Sequence, residues 1–336
     1  MINPFVTLKV CRRQSRGRAW TKTPLGYEVK QIALELCLLL GFSSYLPLQS
    51  SAAESAPSRV EVVLLGTGYP RPDPDRAGPS VAVIVNGKYF IVDAGRAVVL
   101  RLSALQQPMP RIAAVFLTHL HSDHTSGLPD LFNTSWVMGR KEPLQLYGPR
   151  GTREMVDGLL KFYAEDIHIR RDLVEKLDPK GAKIDVHLVS EGVLYKDVDV
   201  AITAFKVDHH PIESAFGYKF EACGKIVVIS GDTAPSENLV KFARGADILV
   251  HEVFMPGYFA KARSAEMTRG DTAEVTQRLS RYHTDAEQVG KIASAAGVKK
   301  LVLTHVIPPE DSDKIRELAA RNFSGEIVVG KDLMRF

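Results

Sequence analysis

Four apolar runs of this sequence end close to a histidine or an aspartate, and this pattern constrains the fold more than any other feature. Each run is short and rich in Val, Ile, Leu or Ala, which is typical of a buried β-strand. Polar side chains at strand ends face clefts, where they can converge on a ligand. Four such ends indicate one shared site rather than four isolated polar groups. The runs and the residues that follow them are Ala113–Leu117 with His119, Val198–Val207 with His209, Ile226–Ile229 with Asp232, and Leu301–Leu303 with His305.

The order of the other elements predicts an α/β fold. The β-branched runs Ser80–Val85 and Lys88–Asp93 are joined by Asn86-Gly87, a strong signal for a hairpin turn. Further along the chain, helical periodicity such as that of Asp285–Ala296 alternates with short strands. Hairpins followed by strand–helix–strand units predict mixed sheets that lie between helices.

The charge distribution argues against a general nucleic-acid-binding surface. The 336 residues carry a formal net charge of +4. Residues 1–53 hold seven Lys/Arg and two acidic residues, so the rest of the chain has a net charge of −1. A nearly neutral body exerts no long-range attraction on phosphate backbones. The three cysteines, Cys11, Cys37 and Cys223, predict no disulfide framework.

The first 58 residues are predicted to precede the folded domain. Residues 32–48 are apolar but too interrupted for a stable membrane span, and Ser51-Ala52-Ala53 is a small-residue run of the signal-peptidase type. We therefore predict an N-terminal extension over 1–53 with a signal peptide at about 30–53, a linker over 54–58 and one domain over 59–336. These segments predict a periplasmic or secreted protein. Glu35 within the apolar run favours the alternative, an uncleaved cytoplasmic protein.

The densest cluster of potential metal ligands is the stretch His119-Leu120-His121-Ser122-Asp123-His124. Neutral imidazoles and carboxylates are suitable zinc ligands. His119 and His121 are two residues apart in extended chain, so their side chains point the same way. Asp123 and His124 follow at a turn and can reach a second ion. Four ligand-type residues in six positions predict a metal site.

This stretch resembles the H-x-H-x-D-H signature of the metallo-β-lactamase superfamily. The resemblance runs from about Val60 to His305, with its motifs in the family's order. It implies an αββα sandwich, two mixed β-sheets flanked by helices, with a dinuclear metal site. Further stretches narrow it to the branch of ribonuclease Z and related arylsulfatase-type hydrolases: Leu65-Gly66-Thr67-Gly68, Pro70, Arg76, Ser230-Gly231-Asp232-Thr233-Ala234-Pro235, His251-Glu252, His283-Thr284 and Leu303-Thr304-His305.

The resemblance also implies a set of metal ligands. His210 is the alternative to His209, because only one of two adjacent side chains on a strand can point inward. Asp93, at the end of a predicted strand, is expected to support the ligands. The expected cofactors are two divalent ions, Zn²⁺ first and Mn²⁺ as the alternative. One ion would be held by His119, His121 and His209, and the other by Asp123, His124 and His305, with Asp232 bridging both.

The implied reaction is hydrolysis of an ester by a hydroxide that bridges the two metal ions. Paired cations lower the pKa of a shared water and neutralise the charge that builds on the attacked centre. Asp123 is expected to orient this nucleophile. His283 is the candidate proton donor to the leaving group, with Glu252 as the carboxylate that raises its pKa and fixes its tautomer. His168 and His187 match no motif and are expected at the surface or in packing.

The sequence departs from the resembling ribonucleases at two places, and these differences decide which substrate is expected first. Residues 150–196 contain no Gly/Pro-rich basic arm of the kind those enzymes use to grip tRNA. Val306-Ile307-Pro308-Pro309 stands where they usually show a serine and an arginine–tyrosine pair. The first expectation is therefore a phosphate or sulfate ester of a small molecule, as in a phosphodiesterase or an arylsulfatase, with nucleic acid less favoured.

Several alternatives stay open at this point. A ribonuclease Z-type endonuclease that processes the 3′ end of tRNA is the first of them, and it is favoured if the N-terminal segment stays uncleaved, because an exported protein could not meet precursor tRNA. A β-lactamase or lactonase activity ranks lower, because the Ser-Gly-Asp-Thr and His-Glu stretches do not favour it. The non-enzyme alternative is a binding protein that a metal ion stabilises. A homodimer is a further expectation, since dimers are common among resembling enzymes.

Overall fold

The computed structural model describes residues 59–106, 108–258 and 281–336, which belong to one compact unit, Ala56–Phe336. The predicted N-terminal extension, signal peptide and linker lie outside the described residues. They stay predictions, as does the export that they imply. In the part of the chain that is described, no helix is both long enough and apolar enough to cross a membrane.

The metal-ligand stretch follows an inner strand of the first sheet, at the end of the sheet where its parallel strands finish. Its strands, in spatial as well as chain order, are β1 (Val60–Gly66), β2 (Ser80–Val85), β3 (Lys88–Val92), β4 (Ile112–Phe116), β5 (Leu144–Gly148) and β6 (Ile184–Leu188). β2 and β3 form the predicted antiparallel hairpin across Asn86-Gly87. β3 to β6 are parallel, so their carboxyl ends share one edge of the sheet.

The second sheet brings three more of the predicted strand ends to a common edge. Its strands are β7 (Gly192–Lys196), β8 (Val200–Lys206), β9 (Phe216–Ala222), β10 (Lys225–Ile229), β11 (Ile248–Phe254), β12 (Lys300–Ile307) and β13 (Glu326–Val329). Their spatial order is β13-β12-β11-β10-β9-β8-β7. β10 to β13 are parallel, and β8 runs in the same direction because it is antiparallel to β9, which is antiparallel to β10. The carboxyl ends of β8, β10 and β12 therefore point the same way.

Helices cover the outer face of each sheet, and a third apolar layer lies between the sheets. The first sheet packs against α1 (Val98–Ala104), α3 (Leu128–Val137) and α4 (Thr152–Phe162), and the second packs against α6 (Glu237–Phe242), α7 (Ala286–Ala296) and α8 (Ser312–Ala320). Two short helices, α2 (Ser122–Thr125) and α5 (Ala164–His168), complete the described set. The inner layer includes the fully buried rings of Phe90, Phe116, Tyr218 and Phe220. The predicted αββα sandwich is confirmed.

Two hydrogen bonds join the sheets directly beneath the metal-ligand stretch. The buried hydroxyl of Tyr218 donates to the carbonyl of Leu117 (2.6 Å). The backbone N–H of Phe216 donates to the carbonyl of Thr118 (3.0 Å). These bonds fix the end of β4 against β9, so residues that follow β4 meet residues from the second sheet.

The opposite edge of the sandwich is held by a lysine between two carboxylates. Lys88, at the start of β3, places its Nζ 2.8 Å from Asp197 and 2.8 Å from Asp199, in the turn between β7 and β8. Partial burial raises the pKa of Asp197, but hydrogen bonds from Lys88 and from neighbouring donors lower it to about 2. The two sheets are thus joined by an ion pair as well as by apolar packing.

Lys88→Met should lower the free energy of unfolding by about 1 kcal/mol at neutral pH, the range of a surface ion pair. Because the folded-state pKa of Asp197 is depressed, its contribution is complete above the unfolded pKa near 3.8 and is lost as the pH falls towards 2. Urea unfolding at pH 7, 4 and 3 measures this. Lys219→Met removes the similar pair with Glu221 within one strand. The prediction would be contradicted if Lys88→Met lowered the free energy of unfolding only as much as Lys219→Met does. It would also be contradicted if the effect of Lys88→Met did not shrink in acid.

Candidate metal centre

Strand β4 and the turn after it position the H-x-H-x-D-H stretch. His121 has extended backbone (φ −61°, ψ 146°), so it and His119 point to one side of the chain, as the two-residue spacing predicts. α2 begins at the next residue and turns the chain back towards the sandwich. As a result Asp123 and His124 are buried beneath the two preceding histidines.

Three imidazoles and one carboxylate form the first group of potential ligands. The Nε2 atom of His119 lies 2.9 Å from Nδ1 of His121, and Nε2 of His209 lies 3.3 Å from the same atom. Asp232 completes the group, in which one atom from each residue lies within 4.8 Å of the others. The structure thus joins the ends of β4, β8 and β10, the first and last of which are more than a hundred residues apart along the chain.

A second group of potential ligands adjoins the first. Asp123, His124 and His305 each offer an atom within 4.8 Å of the other two. Asp232 lies between the groups, because its Oδ2 atom is 3.3 Å from Nε2 of His124, 3.4 Å from Nε2 of His305 and 3.9 Å from Nε2 of His119. This position is the one expected of a carboxylate that bridges two ions.

The backbone at two of these strand ends has conformations that bring the ligands inward. Gly231 has φ +63°, and a Cβ atom there would lie 2.9 Å from both the Phe216 carbonyl oxygen and Cβ of Thr118. Only glycine lets the chain pass so close to the end of β4. His305 has φ +45° and lies at a bulge of β12, where the pairing with β11 shifts by one residue. Bulges redirect side chains next to functional sites.

A buried aspartate behind the ligands fixes the orientation of two imidazoles. Asp93 accepts hydrogen bonds from Nδ1 of His124 (2.8 Å), the backbone N–H of Thr118 (2.8 Å) and the Thr118 hydroxyl (2.9 Å). Because that hydroxyl gives its hydrogen to Asp93, it must accept from Nδ1 of His119 (3.0 Å). Both histidines therefore direct Nε2 to the centre, as in metal sites where outer carboxylates fix the ligand tautomer.

The orientation of His209 is fixed by the backbone. Its Nδ1 donates to the carbonyl of Tyr282 (2.9 Å), which leaves Nε2 for the centre. Burial, and then the neighbouring imidazole of His124, lower the pKa of His119 well below its ordinary value, so that imidazole is neutral. The Nε2 lone pairs of His119 and His209 both face Nδ1 of His121.

This donor set fits divalent metal ions. Nδ1 of His121 can donate a hydrogen to only one of the two Nε2 atoms that face it, whereas a cation between the rings can bind all three nitrogens. Neutral imidazoles and carboxylates are suitable zinc ligands. Nε2 of His124 is buried, faces Asp232 and has no hydrogen-bond partner among the described residues. A buried polar atom of this kind requires an explanation, and a bound cation supplies one.

A histidine–glutamate pair lies beside the second group of ligands. Nδ1 of His283 donates to Oε1 of Glu252 (2.9 Å), and the same oxygen accepts from the backbone N–H groups of Thr233 (3.0 Å) and Thr284 (3.3 Å). The His283 ring lies 5.6 Å from that of His305. Burial lowers the pKa of His283, but the Glu252 carboxylate outweighs this and raises it to about 9. His283 is thus protonated at neutral pH and adjoins the centre.

Three other histidines named from the sequence are exposed. His210, the alternative ligand, is exposed, whereas His209 is buried and faces the centre. His168 is exposed and pairs with Asp172 (2.9 Å). His187 stacks on Tyr147 and contacts Gln145 (2.8 Å). The last two lie at the surface, as expected.

Sequence reasoning missed two residues that shape this centre. Thr118 carries the hydrogen-bond chain from His119 to Asp93, and Tyr282 holds His209 through its carbonyl. For Thr118 a signal was present, because it directly precedes the histidine cluster. The Tyr282 contact is made by backbone across 73 residues, and no motif reports such a contact.

Comparison with known proteins decides the family. Residues 88–306 match the family described as the beta-lactamase superfamily domain. The chain belongs to the β-lactamase superfamily. A ribonuclease Z of Mycobacterium marinum is 39% identical over 283 residues, which are 82% of this chain and 98% of that protein. A ribonuclease Z of Mycobacterium tuberculosis is 38% identical over 283 residues, with 82% and 97% covered. The predicted ribonuclease Z branch is confirmed.

Solved structures agree on the fold. The metallo-beta-lactamase fold protein YhfI of Bacillus subtilis has a TM-score of 0.62 at 21% identity and covers 82% of this chain and 98% of its own. Human tRNase Z, short form, has a TM-score of 0.61 at 23% identity, with 82% and 98% covered. With the family and the His/Asp groups together, this member of the superfamily is a metal-dependent hydrolase that acts on ester bonds.

Proposed function

We propose that this hydrolase is a ribonuclease Z-type endonuclease, which cleaves a phosphodiester bond at the 3′ side of precursor tRNA. The observation that carries the proposal is 39% identity to a ribonuclease Z over 98% of that protein. The sequence had ranked a small-molecule phosphate or sulfate ester first, on the basis of two local departures. The relatives favour the alternative, because similarity over nearly the whole domain outweighs those departures.

The ligand groups define how the proposed centre would bind its ions. His119, His121 and His209 would hold one divalent ion, and the second group, Asp123, His124 and His305, would hold the other, with Asp232 between them. When bound, such ions activate water and offset the charge that builds on a phosphate. Zn²⁺ is the first candidate because imidazoles predominate in the first group.

The remaining side chains would position the reactants and move protons. Nδ1 of His283 is anchored on Glu252, so Nε2 is the nitrogen that can donate a proton to the departing ribose oxygen. Glu252 positions this ring and keeps it protonated. Asp123, buried beside His305 (3.4 Å), is the candidate that orients the attacking water.

The segment that lacks a basic arm contains arginines that are paired with acids. Within residues 150–196, Arg170 pairs with Asp166 (3.0 Å) and Glu175 (2.7 Å), and Arg171 pairs with Asp172 (2.6 Å). Arginines that are neutralised in this way attract phosphate weakly. We therefore propose that RNA is held chiefly close to the metal centre.

A substrate panel tests the proposed function. The full chain, loaded with Zn²⁺ or Mn²⁺, is assayed on a precursor tRNA with a 3′ trailer, on bis(p-nitrophenyl) phosphate and on p-nitrophenyl sulfate. We expect one chelator-sensitive cut in the RNA, with a kcat/KM at least about a hundredfold above that for the small diester, because remote contacts lower the barrier. Mature tRNA without a trailer is the matched control. Chelator-sensitive turnover of a small ester with intact precursor RNA would overturn the proposal and restore the first ranking.

A further inference from the structure

The aromatic ring of Tyr282 adjoins two histidines of the centre. These are His209, the candidate ligand that follows β8, and His283, the candidate proton donor. The ring of Tyr282 lies 4.9 Å from that of His209 at an interplanar angle of 86°, and 4.8 Å from that of His283 at 47°. The side chain is half-buried, so part of it is accessible from solvent. No step of the reaction described above uses this ring.

Hydrogen bonds fix the backbone from Tyr282 to Thr284. Its carbonyl accepts from Nδ1 of His209 (2.9 Å), and the hydroxyl of Thr284, two residues on, donates to the carbonyl of Thr233 (2.6 Å). The Thr284 carbonyl also accepts from the backbone N–H of Phe254 (3.1 Å). An aromatic side chain on such a fixed backbone loses little conformational entropy when it binds a ligand.

We propose that Tyr282 is a stacking platform for the nucleobase next to the scissile phosphodiester, on the leaving-group side. This inference rests on the proposed function and names the part of the RNA that the centre recognises. A ribose whose oxygen takes the proton of His283 carries its base only one sugar ring away from that histidine. Among the described residues, Tyr282 places an aromatic ring 4.8 Å from that of His283.

Stacking on an aromatic ring suits an endonuclease in which Arg170 and Arg171 are paired with acids. Every base has a π-face, so stacking tolerates sequence changes while it holds the nucleotide in place. Alanine substitutions of such platforms weaken binding by a factor of about 5 to 150 per base. The contribution of Tyr282 is therefore expected to depend on the presence of a base and only slightly on its identity.

Abasic substrates test the proposal in the full, metal-loaded chain. One precursor RNA is prepared with every base, and two others lack the base on either side of the scissile bond. For wild type, we expect kcat/KM to fall about 5- to 150-fold when the base on the leaving-group side is absent. For Tyr282→Leu, kcat/KM on the intact RNA should fall by the same factor relative to wild type. Removal of the base on the leaving-group side should then lower the kcat/KM of this variant little further. Tyr282→Phe, which keeps the ring, should stay within about twofold of wild type.

The outcomes separate this inference from the proposed function. All variants keep the backbone carbonyl that holds His209, and equal metal content with equal melting temperature verifies that the centre is intact. If Tyr282→Leu lowers the cleavage of intact and abasic RNA by the same factor, the ring has only a structural role and the inference is overturned. If wild type cleaves no precursor RNA, the proposed function fails and takes this inference with it.

Discussion

His283→Ala is expected to lower turnover of precursor RNA about 10²- to 10⁴-fold, the range of a lost general acid, and to leave the metal content unchanged. The nearest partner of Nδ1 of this histidine is Glu252 at 2.9 Å, whereas Asp232 of the ligand groups lies 3.9 Å from the same atom. Burial lowers the pKa of His283, and Glu252 raises it to about 9, so the wild-type ring carries a proton at neutral pH. Single-turnover cleavage, with elemental analysis of the same samples, measures both quantities.

The leaving group supplies the sharpest control for this variant. p-Nitrophenolate departs without a proton, whereas a ribose alkoxide does not. The defect of His283→Ala should therefore shrink to within about tenfold on bis(p-nitrophenyl) phosphate. Glu252→Gln should give a smaller defect of the same kind, and the double variant should be no worse than His283→Ala, since the glutamate acts through the histidine.

Loss of metal from His283→Ala would contradict this assignment. Asp232, His283 and His305 offer atoms within 4.8 Å of one another, so the fold does allow His283 to act as a ligand. In that case the defect would be equally large for both leaving groups. Equal defects with full metal content would instead identify the ring as a structural element of the centre.

The ends of these strands could be predicted because an apolar run and a metal-ligand residue that follows it coincide there. Ala113–Leu117 and Leu301–Leu303 are apolar on both faces, as strands covered by two layers must be, and each leads to a histidine. The Asn86-Gly87 turn fixed the first hairpin, which the structure confirms residue by residue. At Gly231 a Cβ atom would lie 2.9 Å from the Phe216 carbonyl oxygen, which explains the glycine before Asp232.

Elements with a weak periodic signal were missed. α3 (Leu128–Val137) begins with a proline at its first turn, a signal for a helix start that its mixed polar composition obscured. β7 (Gly192–Lys196) is an edge strand with no buried residue, so its sequence lacks the apolar alternation of an inner strand. Neither element carries a predicted ligand, and the site prediction did not depend on them.

The relatives favour a different substrate ranking from the sequence, in which two local departures received more weight than similarity over the whole domain. The absence of a basic arm in residues 150–196 concerns the grip on RNA and not the reaction, which the His and Asp residues determine. A segment of ion-paired helices can replace an arm while the centre is retained. Contacts such as that of Tyr282 with His209 depend on the folded chain, and sequence spacing does not reveal them.

Asp232→Ala should have the largest effect on the centre. Its Oδ2 atom lies within 3.9 Å of ring nitrogens from both ligand groups, so its removal weakens both sites at once. We expect fewer than two metal ions per chain and turnover lower by at least about a thousandfold. Asp208→Ala removes an exposed carboxylate from the residue that precedes His209 and leaves its backbone pairing with Ala234 in place, so this control should retain both properties.

His209 and His210, two adjacent histidines that follow β8, give the most direct test of the ligand geometry. His209→Ala should release metal from the first group and lower turnover about as far as Asp232→Ala, because Nε2 of His209 is the atom that meets His121 (3.3 Å). His210→Ala differs by one position, changes an exposed side chain and should keep its metal and its activity. Elemental analysis and the rise in melting temperature on adding Zn²⁺ report binding without any substrate. If His210→Ala lost metal and His209→Ala kept it, the orientation of this strand end, and with it the first ligand group, would be wrong.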